Sequence, residues 1–466
     1  MSSWSQDWMP RLGPTMSSAF LSDLISSITE RGRALLQREP SRQEPRRGAL
    51  VETCHTLLSG RGEASGVALA RHGLDLYAQL DPQGRLAFFE ALSQEFGPDQ
   101  KRLAKAMEGW ASTGDAAAAS ELHFAAEPRR QELLRRLNRA PGGTAALVHM
   151  RQDLLDFLPG RPDLQIVDRD FAHLMYAWFN RGFLVLRRID WATPALILEK
   201  IIRYEAVHEI RDWNDLRRRI DPADRRCYGF FHPAMADDPL IFVEVALTRD
   251  IPGAVAPLLA ESREICQPEQ ARTAVFYSIS SCQRGLDGIS FGNFLIKQVV
   301  EELRRELPRL ENFVTLSPVP TFMKWLNESK GEMASAEQDL AQTLADPGWA
   351  RDSARTEAIR KGVEALAAEY FLAAKTANGR PRDPVARFHL GNGARLERIN
   401  FMGDLSPKAL RDGGGLMVNY LYDLDEIEAN HEAYANEKHV MASGAVKRLW
   451  KGSPRSRLQV GAASSN

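Results

Sequence analysis

The residues best suited to chemistry form a glycine-bearing loop between an apolar run and an amphipathic helix. The apolar run covers 274–279, and the loop carries Gly285, Gly288 and Gly292. Apolar residues at helical spacing follow the loop, namely Leu295, Ile296, Val299, Leu303 and Leu307. A loop that leads into a helix N-terminus offers backbone N–H groups and a positive dipole end to a phosphate. The pattern therefore indicates a pyrophosphate-containing ligand, and the structural alternative is a tight turn that needs glycine.

The loop differs from the two most familiar phosphate-binding motifs. It is not a P-loop, because no Gly-Lys-Ser/Thr follows, and it lacks the GxGxxG spacing of dinucleotide-binding proteins. It is similar to the loop with which the GNAT acetyltransferase superfamily binds the pyrophosphate of coenzyme A, and Gly292-x-x-Leu295 carries that likeness. In that superfamily, the strand before the loop splays from its neighbour and admits the pantetheine arm. We expect Arg284 to lie near the phosphates.

Two further side chains are suited to acid–base work. Ser317 ends a strand-like run and precedes two prolines, which fix the backbone and aim the hydroxyl. His389 lies in the run Ala386–Leu390, which we predict as a strand followed by a hairpin turn at Asn392-Gly393. Each residue has a structural alternative, since a serine can cap a strand end and a histidine can be a core residue.

Seven segments, taken in their order along the chain, resemble the malonyl-coenzyme A decarboxylase family. The segments are Arg226-Cys227-Tyr228, Val245–Thr248, Tyr277–Ser280, Gln283–Gly292, Leu316–Pro320, Phe388–Ala394 and Leu416–Tyr422. The resemblance covers about Trp178 to Ser443 and is dense there. Upstream of Trp178 it consists mainly of a matching helical character.

The resemblance implies both a fold and an activity. The family has an N-terminal helical domain used for oligomerisation, with a tetramer suggested, and a C-terminal GNAT-like catalytic domain. It converts malonyl-CoA to acetyl-CoA and CO2 without a metal or organic cofactor. Its catalytic serine and histidine fall on Ser317 and His389. Its coenzyme A loop falls on Asp287, Gly288, Ile289, Ser290, Phe291, Gly292 and Asn293.

Decarboxylation of a malonyl thioester leaves an enolate, so orientation of the bond to be broken matters more than a nucleophile. We expect Ser317 and His389 to hydrogen-bond each other, hold the carboxylate and then protonate the α-carbon. The candidates for an oxyanion donor or a pocket wall are Asn392, Asn419 and Tyr420. Tyr420 and Tyr422 are two apart on a predicted strand and should share a face, which is either the site or the core.

The elements that must position these residues fall into two regions. Residues 1–178 are predicted as a helical domain with about 20 loose residues at its start. One of its helices should begin with Asp81 and Pro82 and close at Gly97-Pro98. We also predict a solvated amphipathic helix around 129–139 and a helix over 147–158. The apolar stripe of the second helix is Leu147, Met150, Leu154 and Leu158. Linkers are predicted at 40–47 and 113–119.

Residues 179–452 are predicted as a mixed α/β domain, and residues 453–466 as a flexible tail. The sequence is basic from Lys447 onward. The predicted strands are Leu240–Leu247, Ala274–Ser280, Phe313–Ser317, Ala394–Ile399 and Leu416–Tyr422, besides the run that contains His389. The fold class is therefore α+β, with an all-helical domain in front of a GNAT-like domain that has a central mixed sheet.

The composition of the chain argues against several classes of protein. The 466-residue chain has 60 basic and 61 acidic residues, and this balance argues against a nucleic-acid partner. No apolar run approaches the roughly 18–20 residues of a membrane span. Four scattered cysteines predict neither a zinc site nor a disulfide framework. With no secretory signal evident, we expect a cytoplasmic homo-oligomer that acts on malonyl-CoA. The alternatives are a coenzyme A-dependent acyltransferase and a non-enzymatic coenzyme A-binding scaffold.

Overall fold

The described residues form two compact units. The computed structural model describes residues 46–60, 62–289 and 295–451. The first unit contains the described residues up to Asn180 together with Gln283–Ile289, and the second contains Arg181–Cys282 and the described residues from Leu295 onward. The predicted loose start and the predicted tail over 453–466 lie outside the described residues.

The first unit is helical throughout its regular elements. Its α-helices are α1 Arg46–Leu58, α2 Glu63–Ala78, α3 Pro82–Gln94, α4 Gln100–Thr113, α5 Ala116–Ala126, α6 Arg129–Asn138, α7 Gly143–Phe157 and α8 Gln165–Trp178. The predicted start of α3 is confirmed, because the Asp81 carboxylate accepts a hydrogen bond from the Gly84 N–H at 2.7 Å. The α7 helix buries Leu147, Met150 and Leu154 of the predicted apolar stripe, whereas Leu158 is its C-cap and is only half-buried.

Two predictions in this unit need correction. The segment 113–119 is not a linker, because α4 ends at a left-handed Gly114 and the Asp115 side chain caps α5 at once by accepting from the Ala118 N–H. A glycine C-cap followed directly by an aspartate N-cap joins two helices with two residues. The α6 helix is also less solvated than its charges suggest, since Arg130 is buried and paired with Asp170.

The second unit is built around an eight-stranded mixed sheet. Its strands are β1 Val185–Ile189, β2 Arg225–His232, β3 Met235–Thr248, β4 Thr273–Ser281, β5 Asn312–Thr315, β6 Ser317–Pro318, β7 Arg395–Asn400 and β8 Met417–Leu421. The order is β1-β2-β3-β4-β5-β8-β6, and β7 also pairs with β8. Among the described strands, β4 and β5 pair in parallel and the other strand pairs are antiparallel. The predicted class, helices followed by a central mixed sheet, is confirmed.

Helices pack on this sheet. They are α9 Ala195–Tyr204, α10 Trp213–Ile220, α11 Ala256–Leu259, α12 Leu295–Glu306, α13 Phe322–Glu328, α14 Ser335–Ala345, α15 Ser353–Leu372, α16 Pro384–Gly391, α17 Pro407–Gly413, α18 Ile427–Glu437 and α19 Gly444–Lys451. The predicted amphipathic helix after the glycine loop is α12, which buries Leu295, Ile296, Val299 and Leu303. Lys447 lies inside α19, so the basic stretch that starts there is helical up to Lys451. No described helix offers an apolar stretch that could cross a bilayer.

The run that contains His389 is a helix, not a strand, and this prediction was wrong. The α16 helix begins after Asp383, whose side chain accepts from the Ala386 N–H at 2.8 Å, and Pro384 takes the first helical position. An aspartate N-cap with proline behind it is a helix-start signal that outweighs the apolar run. Asn392-Gly393 therefore joins a helix to β7, with Gly393 at φ +82°, and not two strands of a hairpin.

The sheet opens at the end of β4. Residues Thr273–Phe276 of β4 pair with β5, but β4 runs on to Ser281 without β5 beside it. The chain leaves β5 at Leu316, so the single predicted strand Phe313–Ser317 is two strands, and Ser317 pairs with Val418 of β8 instead. The two parallel strands thus separate where the family resemblance led us to expect a splay, and Ser317 lies beside the opening.

Candidate active site

Ser317 and His389 lie side by side in the second unit. The Ser317 Oγ and the His389 Nε2 are 3.2 Å apart, although 72 residues separate them in sequence. Ser317 comes from the short strand β6 and His389 from α16, and both are buried, at 6% and 3% exposure. The sequence predicted this hydrogen bond, and the geometry brings the two side chains together.

Two tyrosines at the end of β8 fix the imidazole of His389. The Tyr422 hydroxyl is 2.8 Å from Nδ1, and the Tyr420 ring stacks on the imidazole with centroids 4.7 Å apart. The prediction that these tyrosines share a face is therefore right, and that face is the one that holds His389. A stacked ring and a hydrogen bond on Nδ1 together set the position and rotation of the imidazole.

A chain of hydrogen bonds assigns the tautomer of His389. The Ser317 hydroxyl donates to Thr315 Oγ1 at 2.8 Å, and the same oxygen accepts from the Tyr420 N–H at 3.1 Å. Because the Ser317 proton is directed at Thr315, the hydrogen between Ser317 and His389 must reside on Nε2. Nδ1 is then the acceptor for the Tyr422 hydroxyl. The chain of donors therefore runs from Tyr422 through His389 and Ser317 to Thr315.

Burial keeps these groups uncharged. It lowers the pKa of His389 to about 3, so the imidazole is neutral at neutral pH. Burial also raises the pKa of Tyr420 and of Tyr422 well above the ordinary value, so both phenols keep their protons. The site thus consists of neutral hydrogen-bonding groups, and an anionic substrate would bring the first charge to them.

Ser317 and His389 open onto a cavity of about 290 Å³ at the point where β4 and β5 separate. The remaining lining is largely apolar and consists of Val207, Ile241, Phe276, Tyr277, Ile279, Ser281, Leu316, Pro318, Pro384, Val385 and Phe388. An apolar cavity with a few convergent polar groups is the usual form of a small-molecule site. Its lining suits a small, largely apolar group with one polar end near the serine and the histidine.

The two predicted asparagines do not reach this cavity. Asn419 precedes Tyr420 in β8 and so points to the opposite face, where its side chain amide donates to the Thr315 and Pro252 carbonyls. The Asn392 amide donates to the Phe388 carbonyl at 2.7 Å, within the turn that ends α16. Neither residue lines the cavity, so their assignment as oxyanion donors gains no support from the geometry.

The glycine loop begins in the first unit, where α7 and α8 hold it. Arg284–Leu286 form a single 3-10 turn, and Gly288 has φ +78°. A Cβ at Gly285 would lie 1.9 Å from the Val148 carbonyl oxygen, so only glycine fits there. Arg284, which we expected near the phosphates, pairs with Asp156 at 2.5 Å.

The described residues include the first part of the predicted coenzyme A loop. Asp287, Gly288 and Ile289 belong to the described residues, and burial raises the pKa of the Asp287 carboxyl. Ser290, Phe291, Gly292 and Asn293 lie outside the described residues. Across the described ranges, no three histidine, cysteine, aspartate or glutamate side chains group as a metal site.

Sequence analysis missed one buried carboxylate near the cavity. Glu205 follows α9, accepts from the Val207 and His208 N–H groups at 2.8 and 2.7 Å, and also accepts from the Ser278 hydroxyl of β4. It therefore ties the segment that carries Val207, a cavity-lining residue, to the end of β4 that lacks β5 beside it. No local pattern signals such a role, because its partner Ser278 is 73 positions away.

Comparison with known proteins gives the family. Residues 182–460 match the family model of the malonyl-CoA decarboxylase C-terminal domain, and residues 96–179 match that of the N-terminal domain. This chain belongs to the malonyl-CoA decarboxylase family. Membership makes it an enzyme, a decarboxylase of the lyase class.

Relatives of this malonyl-CoA decarboxylase family member occur in animals and bacteria. A mitochondrial malonyl-CoA decarboxylase from Anser anser anser is 35% identical over 460 residues, covering 90% of this chain and 89% of its own. A mitochondrial malonyl-CoA decarboxylase from Rattus norvegicus is 36% identical over 399 residues, which cover 77% of this chain and 80% of the rat protein. The crystal structure of the Rhodopseudomonas palustris enzyme has a TM-score of 0.84 and 57% identity, covering 86% of this chain and 99% of that one.

Proposed function

We propose that this chain decarboxylates malonyl-CoA to acetyl-CoA and CO2 through Ser317 and His389, with no metal or organic cofactor. The observation that carries the proposal is the hydrogen bond between these two buried side chains at the wall of an apolar cavity. Family membership supports the reaction, and the geometry supports the choice of residues.

The proposed pair first acts on the substrate carboxylate. When the substrate binds, the Ser317 hydroxyl and the His389 Nε2–H would turn from Thr315 and Ser317 and donate hydrogen bonds to the substrate carboxylate. Binding in this way turns the C–C bond perpendicular to the thioester plane. When that bond breaks, its electrons move to the α-carbon and the thioester oxygen as an enolate, and CO2 leaves.

The pair then returns a proton to the α-carbon. The enolate carbon takes a proton from the Ser317–His389 pair, and the pair regains it from solvent, so each turnover consumes one proton. A carboxylate beside His389 favours the protonated imidazole, which burial disfavours in the free protein. Substrate binding therefore prepares the proton that the enolate needs.

The coenzyme A moiety is proposed to bind along the glycine loop, Asp287 to Asn293. Support comes from the described part of that loop, where Gly288 adopts a left-handed conformation. Such a backbone lets N–H groups approach a pyrophosphate without side chains in between.

The proposed oligomerisation role of the helical unit rests on an exposed apolar surface. The α4 helix buries none of its residues, and Met107 and Trp110 are 56% and 42% exposed. Phe124 of α5 adds a third large apolar side chain, at 53% exposure. Exposed apolar surface of this kind is typical of association sites. Sedimentation equilibrium of the purified protein would measure the number of subunits.

The test of the reaction is direct. The purified protein should convert malonyl-CoA, with no second substrate and in the presence of a chelator, to stoichiometric acetyl-CoA and CO2. Product that forms only when an amine acceptor is added would mean an acyltransferase instead. No product under either condition from folded protein would mean a coenzyme A-binding scaffold.

Replacing Tyr422 with phenylalanine should lower kcat about tenfold and change KM less than about twofold. The ring would keep its place, but His389 Nδ1 would lose the hydroxyl at 2.8 Å that fixes the imidazole rotation. Steady-state formation of acetyl-CoA measures both constants. Tyr434→Phe, on α18 and outside the cavity lining, is the matched control and should retain full activity. Equal kcat for the two variants would contradict an orienting role for Tyr422.

A further inference from the structure

We propose that Arg151 of α7 is a positioning residue that shapes the glycine loop for the pyrophosphate of the substrate. The inference rests on the proposed role of that loop in binding coenzyme A. Arg151 and residues 283–289 belong to the same compact unit, although the loop is more than 130 residues further along the chain.

One guanidinium holds two carbonyls of the loop. Nη1 of Arg151 donates to the Gly285 carbonyl at 2.8 Å and to the Asp287 carbonyl at 2.9 Å. Nε of the same side chain donates to the Asp168 carboxylate of α8 at 2.8 Å, which fixes the guanidinium in turn. The side chain is buried, at 4% exposure, so these bonds are shielded from water.

Drawing carbonyls inward has a direct electrostatic consequence. A carbonyl oxygen that faced a pyrophosphate would repel it, whereas a backbone N–H attracts it. By binding the carbonyls of Gly285 and Asp287, Arg151 turns the negative ends of these peptide dipoles into the helical unit. A pyrophosphate on the opposite side of the loop would then not meet these carbonyl oxygens.

Two neighbouring contacts also hold the loop against the helices of the first unit. The Tyr176 hydroxyl of α8 donates to the Gly288 carbonyl at 2.9 Å, so three loop carbonyls are held by side chains of α7 and α8. Gly285 lies against the Val148 carbonyl of α7, where a Cβ would clash at 1.9 Å. Contacts within the first unit therefore hold the described part of the loop in its conformation.

The experiment compares two variants on two substrates. Arg151→Gln removes the double contact to the loop, and Arg130→Gln removes another buried arginine that pairs with α8, through Asp170, but does not contact the loop. The substrates are malonyl-CoA and malonyl-pantetheine, which carries the same reacting group without the pyrophosphate. Acetyl thioester formation gives kcat and KM, and thermal unfolding reports the stability of each variant.

We expect Arg151→Gln to raise KM for malonyl-CoA about tenfold or more, with kcat within about twofold and with kcat/KM for malonyl-pantetheine unchanged. Arg130→Gln should leave the ratio of the two specificity constants at the wild-type value. Tyr176→Phe, a mild change at a half-exposed residue, should raise KM for malonyl-CoA in the same direction by a few-fold, and it serves if Arg151→Gln does not fold.

Other outcomes would overturn the inference in distinguishable ways. Equal losses on both substrates in Arg151→Gln, or the same substrate ratio as in Arg130→Gln, would mean that Arg151 only stabilises the fold. If Arg151→Gln does not fold, an unchanged KM for malonyl-CoA in Tyr176→Phe would also mean that these contacts only stabilise the fold. A wild-type protein that uses both substrates equally well would instead overturn the proposed role of the loop.

Discussion

Replacing His389 with alanine should lower kcat for malonyl-CoA by at least about 100-fold and leave KM within a few-fold. The imidazole is the centre of the hydrogen-bond chain, with Ser317 at 3.2 Å on one nitrogen and Tyr422 at 2.8 Å on the other. Its loss removes both a donor to the carboxylate and a carrier of the returning proton. Most of the binding energy should lie in the coenzyme A moiety, so KM is expected to change little.

The matched control for this variant is His431→Ala. His431 lies on α18 and hydrogen-bonds the Gly391 carbonyl at the end of α16, but it does not line the cavity. It therefore tests whether removing any histidine near α16 is enough to lower kcat. Near wild-type kcat in His389→Ala, or equal losses in both variants, would contradict the proposed role of His389.

The pH dependence follows from burial of the imidazole. The pKa of His389 is lowered to about 3 in the free protein, below its ordinary value near 6.5, so His389 is neutral throughout pH 5 to 8. Since kcat/KM reports groups of the free enzyme, His389 should add no inflection to its pH profile above pH 5. In the complex, the substrate carboxylate raises this pKa, so any inflection from His389 belongs in kcat. A step in kcat/KM near pH 6.5 that is absent in His389→Ala would contradict the assignment.

Local sequence signals predicted much of the fold and of the site. Short apolar runs indicated β4 and β8, and the spacing of Tyr420 and Tyr422 correctly predicted a shared face. Because side chains alternate along a strand, the same spacing argument would have placed Asn419 on the opposite face from Tyr420. The error at His389 arose from weighing an apolar run above the Asp383-Pro384 helix start directly before it.

The remaining contacts of the site depend on distant parts of the chain, which one sequence does not reveal. Arg151 meets the Gly285 carbonyl across 134 positions, and Glu205 meets Ser278 across 73. An arginine in an amphipathic helix and a glutamate after a helix are ordinary surface residues by pattern. Only the packing of α7 and α9 against their neighbours turns them into buried groups with specific partners.

Replacing Ser317 with alanine should also lower kcat by about 100-fold or more. Its hydroxyl lies between His389 Nε2 and Thr315 Oγ1, at 3.2 and 2.8 Å, and it lines the cavity. Without it, the imidazole N–H is buried with no acceptor at that position, and the substrate carboxylate loses one of its two donors. Ser443→Ala, which removes a hydroxyl bonded to the Glu397 carbonyl outside the cavity, is the matched control.

The double variant Ser317→Ala/His389→Ala decides whether the two residues act as one unit. If they carry a single proton between them, removal of either one disables the other, and kcat of the double variant should lie within about threefold of the slower single variant. Independent contributions would multiply instead, to a loss of about 10,000-fold. The 3.2 Å contact and the shared proton lead us to expect the first result. Multiplied losses would mean that one residue holds the carboxylate while the other alone returns the proton.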